Sequence, residues 1–363
     1  MVKVPADWDE CSLSDLFGLL AGGDLKKSLF SPYRTQAYAY KIFSNAIENY
    51  GLYGYTSKPC YPADSITVTA RGTIGKAYYR DEPFDAIIRL LVLVPKNKNV
   101  CTKFYVYYIN HMVTFDLEST GVPQLTVPKI GEKKVPFFSK SEQQAIADTL
   151  SIFDTYISDI TELIEKKRAI RDGALEDLVS GKKRLDGFDG EWKKGIIRDL
   201  LTIMHGKNQK GVEAFNGKYP ILGTGGIIGQ AKKYLCNWEC VLIGRKGTID
   251  QPMYMNKPFW SIDTLYFSKP VDSMHCVKFQ FYLFCTIPWS DYTESSGRPS
   301  LAKSTIEAIP ILIPSIKEQQ AIADTLTAMD DEIRELEEER SKMKEIREGA
   351  MDDLLTGRVR LPL

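Results

Sequence analysis

The sequence predicts an α+β protein: two pseudo-symmetric α+β domains joined by two long antiparallel coiled-coil helices. Three observations carry this reading. Residues 142–185 and 318–361 align without a gap at an offset of 176, and both copies begin EQQAIADTL. Each copy holds an apolar seam at alternating spacings of four and three. The landmarks of the segment before each helix also recur in the same order. Internal repetition on this scale fixes an architecture before any local reading does.

The helices come first. One seam runs Ile146, Leu150, Phe153, Ile157, Ile160 and Ile164; the other runs Ile322, Leu326, Met329, Ile333 and Leu336, then Met343 after a break at Arg340. This is a coiled-coil a/d stripe with charge on the other faces. Roughly 39 uninterrupted residues at ~1.5 Å each make a rod of about 58 Å. Two such narrow seams are expected to bury each other. The acidic outer face, Glu335, Glu337, Glu338 and Glu339, reads as solvated.

The segments before the helices match at several points. STGVPQL (119–125) matches SSGRPSL (295–301), GLYG (51–54) matches GIIG (226–229), and GTI (72–74) matches GTI (247–249). Trp8 matches Trp192, and both read as core anchors. Residues 65–70 and 73–79 form a predicted hairpin turning at Gly72. Residues 87–94 read as a strand closed by Pro95, and residues 103–115 as a helix in preference to a buried strand. The second segment repeats the pattern with strands at 240–243 and 265–267 and an apolar stretch at 277–286. The predicted layout is a first domain at 1–140, helix and linker at 141–186, a second domain at 187–315 and the second helix at 316–363. The linker KKRLDGFDGEW (182–192) resembles the C-terminus at its start and the N-terminus at its end. That implies a pseudo-cyclic object.

Composition limits the function. No apolar run reaches the ~20 residues of a membrane span. The first residues lack a signal pattern, so a cytoplasmic protein is expected. The seven cysteines are irregularly spaced and read as reduced thiols. The zero net charge divides unevenly: +4 over 1–140, −3 over 141–186, +4 over 187–315 and −5 over 316–363. Any contact with phosphate therefore falls to the globular parts. No arrangement of the three histidines with a nucleophile is recognisable. Cys236 and Cys240, with His275 and Cys276 downstream, lack zinc-finger spacing, and buried thiols are the better reading than a metal site. GTGG (223–226) is a lone glycine turn with no apolar-striped helix after it, so a structural turn is the better reading. No catalytic residue and no metal site are assigned. Two unlike heads on one framework suit two half-sites of duplex DNA. The rival classes are a two-headed protein-binding scaffold with no DNA role and an unrecognised enzyme.

The EQQxIA helix entry, the RLDGFDGEW linker and the GTIG and SGxPxL elements resemble the specificity (S) subunit of type I restriction-modification systems across the full chain. The second GTIG element departs from the pattern as GTID, with Asp250 in the last place. The resemblance implies two target-recognition domains, each reading one half of an asymmetric bipartite duplex site. It implies a non-catalytic chain whose helices dock two adenine-methyltransferase subunits, joined by restriction subunits. S-adenosylmethionine, ATP and Mg are then expected on those partners and no cofactor on this chain. DNA contacts are expected from Arg71 and Lys76 beside the Gly72 turn and from Arg245 and Lys246 before Gly247, since arginine pairs bidentately with guanine. Arg298, Lys58, Lys232 and Lys233 are expected on phosphates. Tyr53 reads equally as a groove contact or a core ring. The identity of the two EQQAIADTL stretches suggests a repeated partner surface at Glu142, Gln143, Gln144, Ile146, Glu318, Gln319, Gln320 and Ile322, because internal packing tolerates apolar swaps.

Overall fold

A computed structural model describes residues 5–115, 123–272, 275–293, 297 and 299–362. The chain divides into two compact units. Unit 1 is Met1–Ile160 with Glu339–Leu363, and unit 2 is Thr161–Glu338. The long helices Lys140–Val179 and Ile316–Leu355 each contribute to both.

Unit 1 contains strands β1 (Asp9–Ser12), β2 (Phe17–Ala21), β3 (Phe30–Ser31), β4 (Tyr40–Phe43), β5 (Leu52–Thr56), β6 (Ser65–Val68), β7 (Ala77–Arg80), β8 (Phe84–Ala86), β9 (Leu91–Pro95) and β10 (Lys134–Phe137). The larger sheet has order β2-β9-β6-β7 and is antiparallel throughout. A second sheet, β3-β5-β4-β8, contains a parallel β4–β8 pair, and β1 with β10 makes a ribbon. The predicted hairpin is β6–β7, and the predicted helix runs Thr102–Met112 against it. The strand expected at 87–94 begins only at Leu91. Ile88 and Arg89 take φ of 55° and 60°, a turn geometry that cannot continue a ladder.

Unit 2 repeats the plan with β11 (Lys193–Ile196), β12 (Leu201–His205), β13 (Tyr219–Gly223), β14 (Gly226–Ala231), β15 (Cys240–Gly244), β16 (Met253–Met255), β17 (Trp260–Ser261), β18 (Leu265–Pro270) and β19 (Pro310–Ile313). Its larger sheet is β12-β18-β15-β16 and its smaller one β14-β13-β17. The stretch at 277–286 is a helix, Val277–Thr286. Cys236 and Cys240 sit with Sγ atoms 3.9 Å apart in a small apolar core with Phe259 and Phe267, whereas Cys276 belongs to the larger core.

Within each unit the helix segments run antiparallel. In unit 1 Asp154 accepts from Arg347 at 2.6 Å and Glu142 is held by Arg360. In unit 2 Asp330 accepts from Arg171 at 2.7 Å and Glu318 is held by Arg184. Partner numbers fall as residue numbers rise. Part of the seam does not serve the helix pair alone. Ile146 and Leu150 are buried in the unit 1 core with Phe104, Tyr105, Met351 and Leu355, while Ile322 and Leu326 join the unit 2 core with Phe279 and Tyr282. The start of each long helix thus completes the core that the sheet and helix of its own domain leave open on one side. The acidic face is also not purely solvated, since Glu337 pairs with Arg168 and Glu339 accepts from Tyr156.

Candidate nucleic-acid interface

The turn between β6 and β7 is built by Thr69. Its carbonyl accepts from Gly75 N at 2.8 Å and its hydroxyl accepts from Lys76 N at 2.9 Å. Gly72 and Gly75 stand at φ +69° and +85°, which side chains rarely adopt. Arg71 projects from this turn, but its Nη2 donates to Gln124 Oε1 at 3.0 Å; Lys76 is exposed. The turn is strapped from outside, because Leu125 N donates to Ala70 O at 2.9 Å.

Unit 2 uses the same strap: Leu301 N donates to Arg245 O at 2.9 Å, and Gly247 N donates to Pro299 O at 3.0 Å. The repeated GTI turn and the repeated proline-leucine segment therefore pack on each other. Sequence reading found both motifs and missed their contact. Arg245 lies where expected, in the connection between β15 and β16, but its side chain does not project freely from it. It is half-buried, its guanidinium 5.9 Å from the Tyr266 ring, with Nη1 reaching Asp263 O at 3.4 Å. Lys246 beside it is exposed. Both border a cavity of about 480 Å³ shared with Arg198, His205, Lys303 and Glu307. Glu307 is nearly fully buried. Desolvation alone would raise its carboxyl, yet the Ile203 amide at 2.9 Å, Arg198 at 3.0 Å and Lys303 at 3.5 Å hold it below the ordinary value.

The other expected DNA contacts lie on or beside the smaller sheets. Lys58 is exposed just after β5, and Tyr53 on β5 is 47% exposed, tilted against Phe30 at a centroid distance of 5.8 Å. Its groove reading is thus sterically open. Lys232 and Lys233 follow β14 and are exposed. Arg298 lies outside the described residues. Sequence reasoning missed the apolar side chains on this sheet and its flanks. Phe215 is 98% exposed, and Ile227, Ile228 and Tyr234 are also exposed in unit 2, as is Tyr33 in unit 1. Apolar residues on short strands read as core, and only the fold reveals that these face water. Exposed rings and aliphatic groups interleaved with lysines make a surface suited to the sugar, base and phosphate of nucleic acid.

The expected partner surface is corrected for six of its eight residues. Glu142, Gln143, Ile146, Glu318, Gln319 and Ile322 are buried and bonded or packed within their own units. Gln143 Oε1 accepts from Cys101 N at 2.8 Å, at the start of the Thr102–Met112 helix, while its Nε2 donates to Phe138 O at 2.8 Å. Gln319 does the same with Cys276 N at 3.0 Å and Pro314 O at 2.9 Å. Glu318 accepts from Arg184 Nη2 at 2.8 Å and Trp192 Nε1 at 3.0 Å. Hydrogen-bond geometry, unlike apolar contact, does not tolerate swaps, so internal duty accounts for the identity of these positions. Gln144 and Gln320 remain accessible, each donating to an aspartate one turn on, Asp148 or Asp324, at 2.8 Å. Trp8 is a core anchor, stacked on Phe138 at 3.9 Å; its counterpart Trp192 is only half-buried.

Among the described residues no helix is long and apolar enough to cross a membrane. The family model for the type I restriction modification DNA specificity domain matches residues 5–170 and 189–345. A putative type I specificity subunit from Mycoplasma pneumoniae is 34% identical over 36% of this chain and 36% of its own length. One from Mycoplasma genitalium is 26% identical over 60% and 58%. The alignments to these curated relatives thus span little more than half their length at most. The crystal structure of the S subunit of a type I restriction-modification system from M. genitalium covers 97% of this chain and 96% of its own, at a TM-score of 0.71 and 21% identity. Both halves of the chain match the same family, and the chain belongs to the type I restriction modification DNA specificity family.

Proposed function

We propose that this chain is the non-catalytic specificity subunit of a type I restriction-modification complex and that it reads an asymmetric bipartite site on double-stranded DNA. Each α+β domain (1–140 and 187–315) takes one half-site. The observation that carries the reading is that one framework occurs twice, while the exposed side chains on its smaller sheets differ. Tyr33, Tyr53 and Lys58 stand on or beside the sheet in one unit; Phe215, Ile227, Lys232 and Lys233 stand there in the other. A shared frame with unlike faces suits two different half-sites. Lys58, Lys76, Lys232, Lys233 and Lys246 would contact phosphate, with Arg71 and Arg245 at the rims of their turns.

Two methyltransferase subunits would dock on the exposed flanks of the helix segments 141–186 and 316–363, including Gln144 and Gln320. Restriction subunits would join through them, in the cytoplasm. S-adenosylmethionine, ATP and Mg would be held by those subunits and not by this chain. Co-expression with a methyltransferase subunit, followed by gel shift on duplexes containing the methylated motif, tests the reading. Sequence-selective binding by the complex is the expected result, and capture of no methyltransferase subunit together with no DNA retention would overturn it.

A further inference from the structure

Arg80, at the end of β7, is a buried cation without a buried anion. Its side chain is 6% exposed. Nε donates to Thr67 Oγ1 at 2.9 Å, Nη2 donates to the Tyr50 carbonyl at 2.8 Å, and the guanidinium lies 3.4 Å from the centre of the Phe43 ring. Nη1 has no acceptor among the described residues. Arg80 lines a cavity of about 220 Å³, together with Lys41, Asn49, Tyr50 and Tyr79. Two carboxylates stand at this cavity. Glu82 is engaged by Lys41 and lies 4.0 Å from Arg34. Asp81 is exposed and makes no ion pair with Arg80. Burial pushes the guanidinium down to about 9, and the nearby Tyr78 and Asp81 offset this only in part.

The arrangement is pre-set. Asn49 and Tyr50 adopt φ of 47° and 54°, and Gly51 follows at 82°. Three successive left-handed residues turn the Tyr50 carbonyl onto Arg80, a strained geometry that fixes the fork in place. The fold itself does not require the arginine. By strand register Ser65 faces Arg80 as Cys240 faces Met255, so unit 2 places a methionine there, packed against a small apolar core.

From the free guanidinium edge, the cavity and the absence of this group in the twin unit, we propose that the Arg80 cavity binds a phosphate-class oxyanion. A fixed guanidinium fork matches two oxygens of such a group. The oxyanion has two sources, free inorganic phosphate or a phosphodiester of bound DNA; only the second rests on the DNA reading above.

The test uses the full chain, wild type and Arg80→Met, with inorganic phosphate against chloride at matched ionic strength. Wild-type melting is expected to rise by roughly 2–4 °C at saturating phosphate and Arg80→Met not to respond. In the reconstituted complex, Arg80→Met is expected to weaken DNA binding about 10-fold regardless of sequence and to reduce the salt slope by about one, if the source is DNA. A phosphate response alone assigns the free anion, and a DNA effect, with or without that response, assigns the phosphodiester. If Arg80→Met does not fold, wild-type phosphate titration and phosphate competition with DNA decide. Neither effect would overturn the site and leave Arg80 as a structural stack on Phe43. Failure of the DNA reading itself would show separately, as no binding by wild type.

Discussion

Arg360 Nη2 donates to Glu142 Oε2 at 2.8 Å, and the matching atoms of Arg184 and Glu318 are also 2.8 Å apart. In unit 2 the arginine comes from the linker, and in unit 1 it comes from the C-terminal segment, which also reaches Asp7 at 3.1 Å. The same cluster is thus made once by a continuous stretch and once by two ends of the chain. Each carboxylate is buried while each arginine is partly exposed, so the pair holds the helix start without a full desolvation cost. Arg184→Ala is expected to lower stability by about 2 kcal/mol, because it strands a buried acceptor. Urea unfolding followed by circular dichroism measures this; a loss within error of zero would contradict it.

Because the two ends meet in unit 1, a circular permutant opened within 186–190 and joined from 363 to 1 is expected to fold. Its melting curve should keep a cooperative transition, and a molten permutant would refute the equivalence of the two clusters.

A second twin contact joins each domain helix to a long helix. Tyr107 Oη donates to Asp154 at 2.6 Å, with Arg347 on the other carboxylate oxygen at 2.6 Å; Tyr282, Asp330 and Arg171 repeat it at 2.7 Å and 2.7 Å. Burial pushes the Tyr107 hydroxyl up to about 12, so it stays a donor at any working pH. Tyr107→Phe and Tyr282→Phe should each cost about 1.5–3 kcal/mol, the worth of a hydrogen bond to a charged group. Hydrogen exchange should show the loosening in the mutated unit.

Acid should affect unit 2 through Glu307. Its folded value lies below the ordinary 4.5, so its contribution is present above 4.5 and is lost as pH falls through the folded value. Unit 1 has Gly131 at the matching position and lacks this contribution. Glu307→Gln should flatten the pH dependence of unit 2 melting as pH falls below 4.5; an unchanged slope would exclude Glu307 as its source.

For DNA, Lys232→Ala with Lys233→Ala should weaken binding to all duplexes alike and lower the salt slope by about two. Arg245→Ala with Lys246→Ala should weaken binding as well, with part of the loss from the stack on Tyr266. Retained affinity at physiological salt would remove each pair from the interface.

Much of the frame was legible because it occurs twice. Repeated EQQAIADTL, the β6–β7 hairpin and the likeness of linker and termini all stand in the structure. The seam showed which helix face is apolar but not what covers it, so the burial of Ile146 and Leu150 in a domain core escaped notice. Gln143 and Gln319 read as part of a partner surface until the Cys101 and Cys276 amides are placed beside them. Arg245 at a glycine turn looks free because the strap through Leu301 is 56 residues away in sequence.

The most direct test of the central claim is methylation-sensitive sequencing of a methylation-free strain that expresses this chain with its methyltransferase subunit, before and after residues 187–315 are exchanged for those of another family member. An asymmetric two-part motif in which the exchange alters one half alone is expected. A single uninterrupted motif, or an exchange that alters both halves, would contradict it.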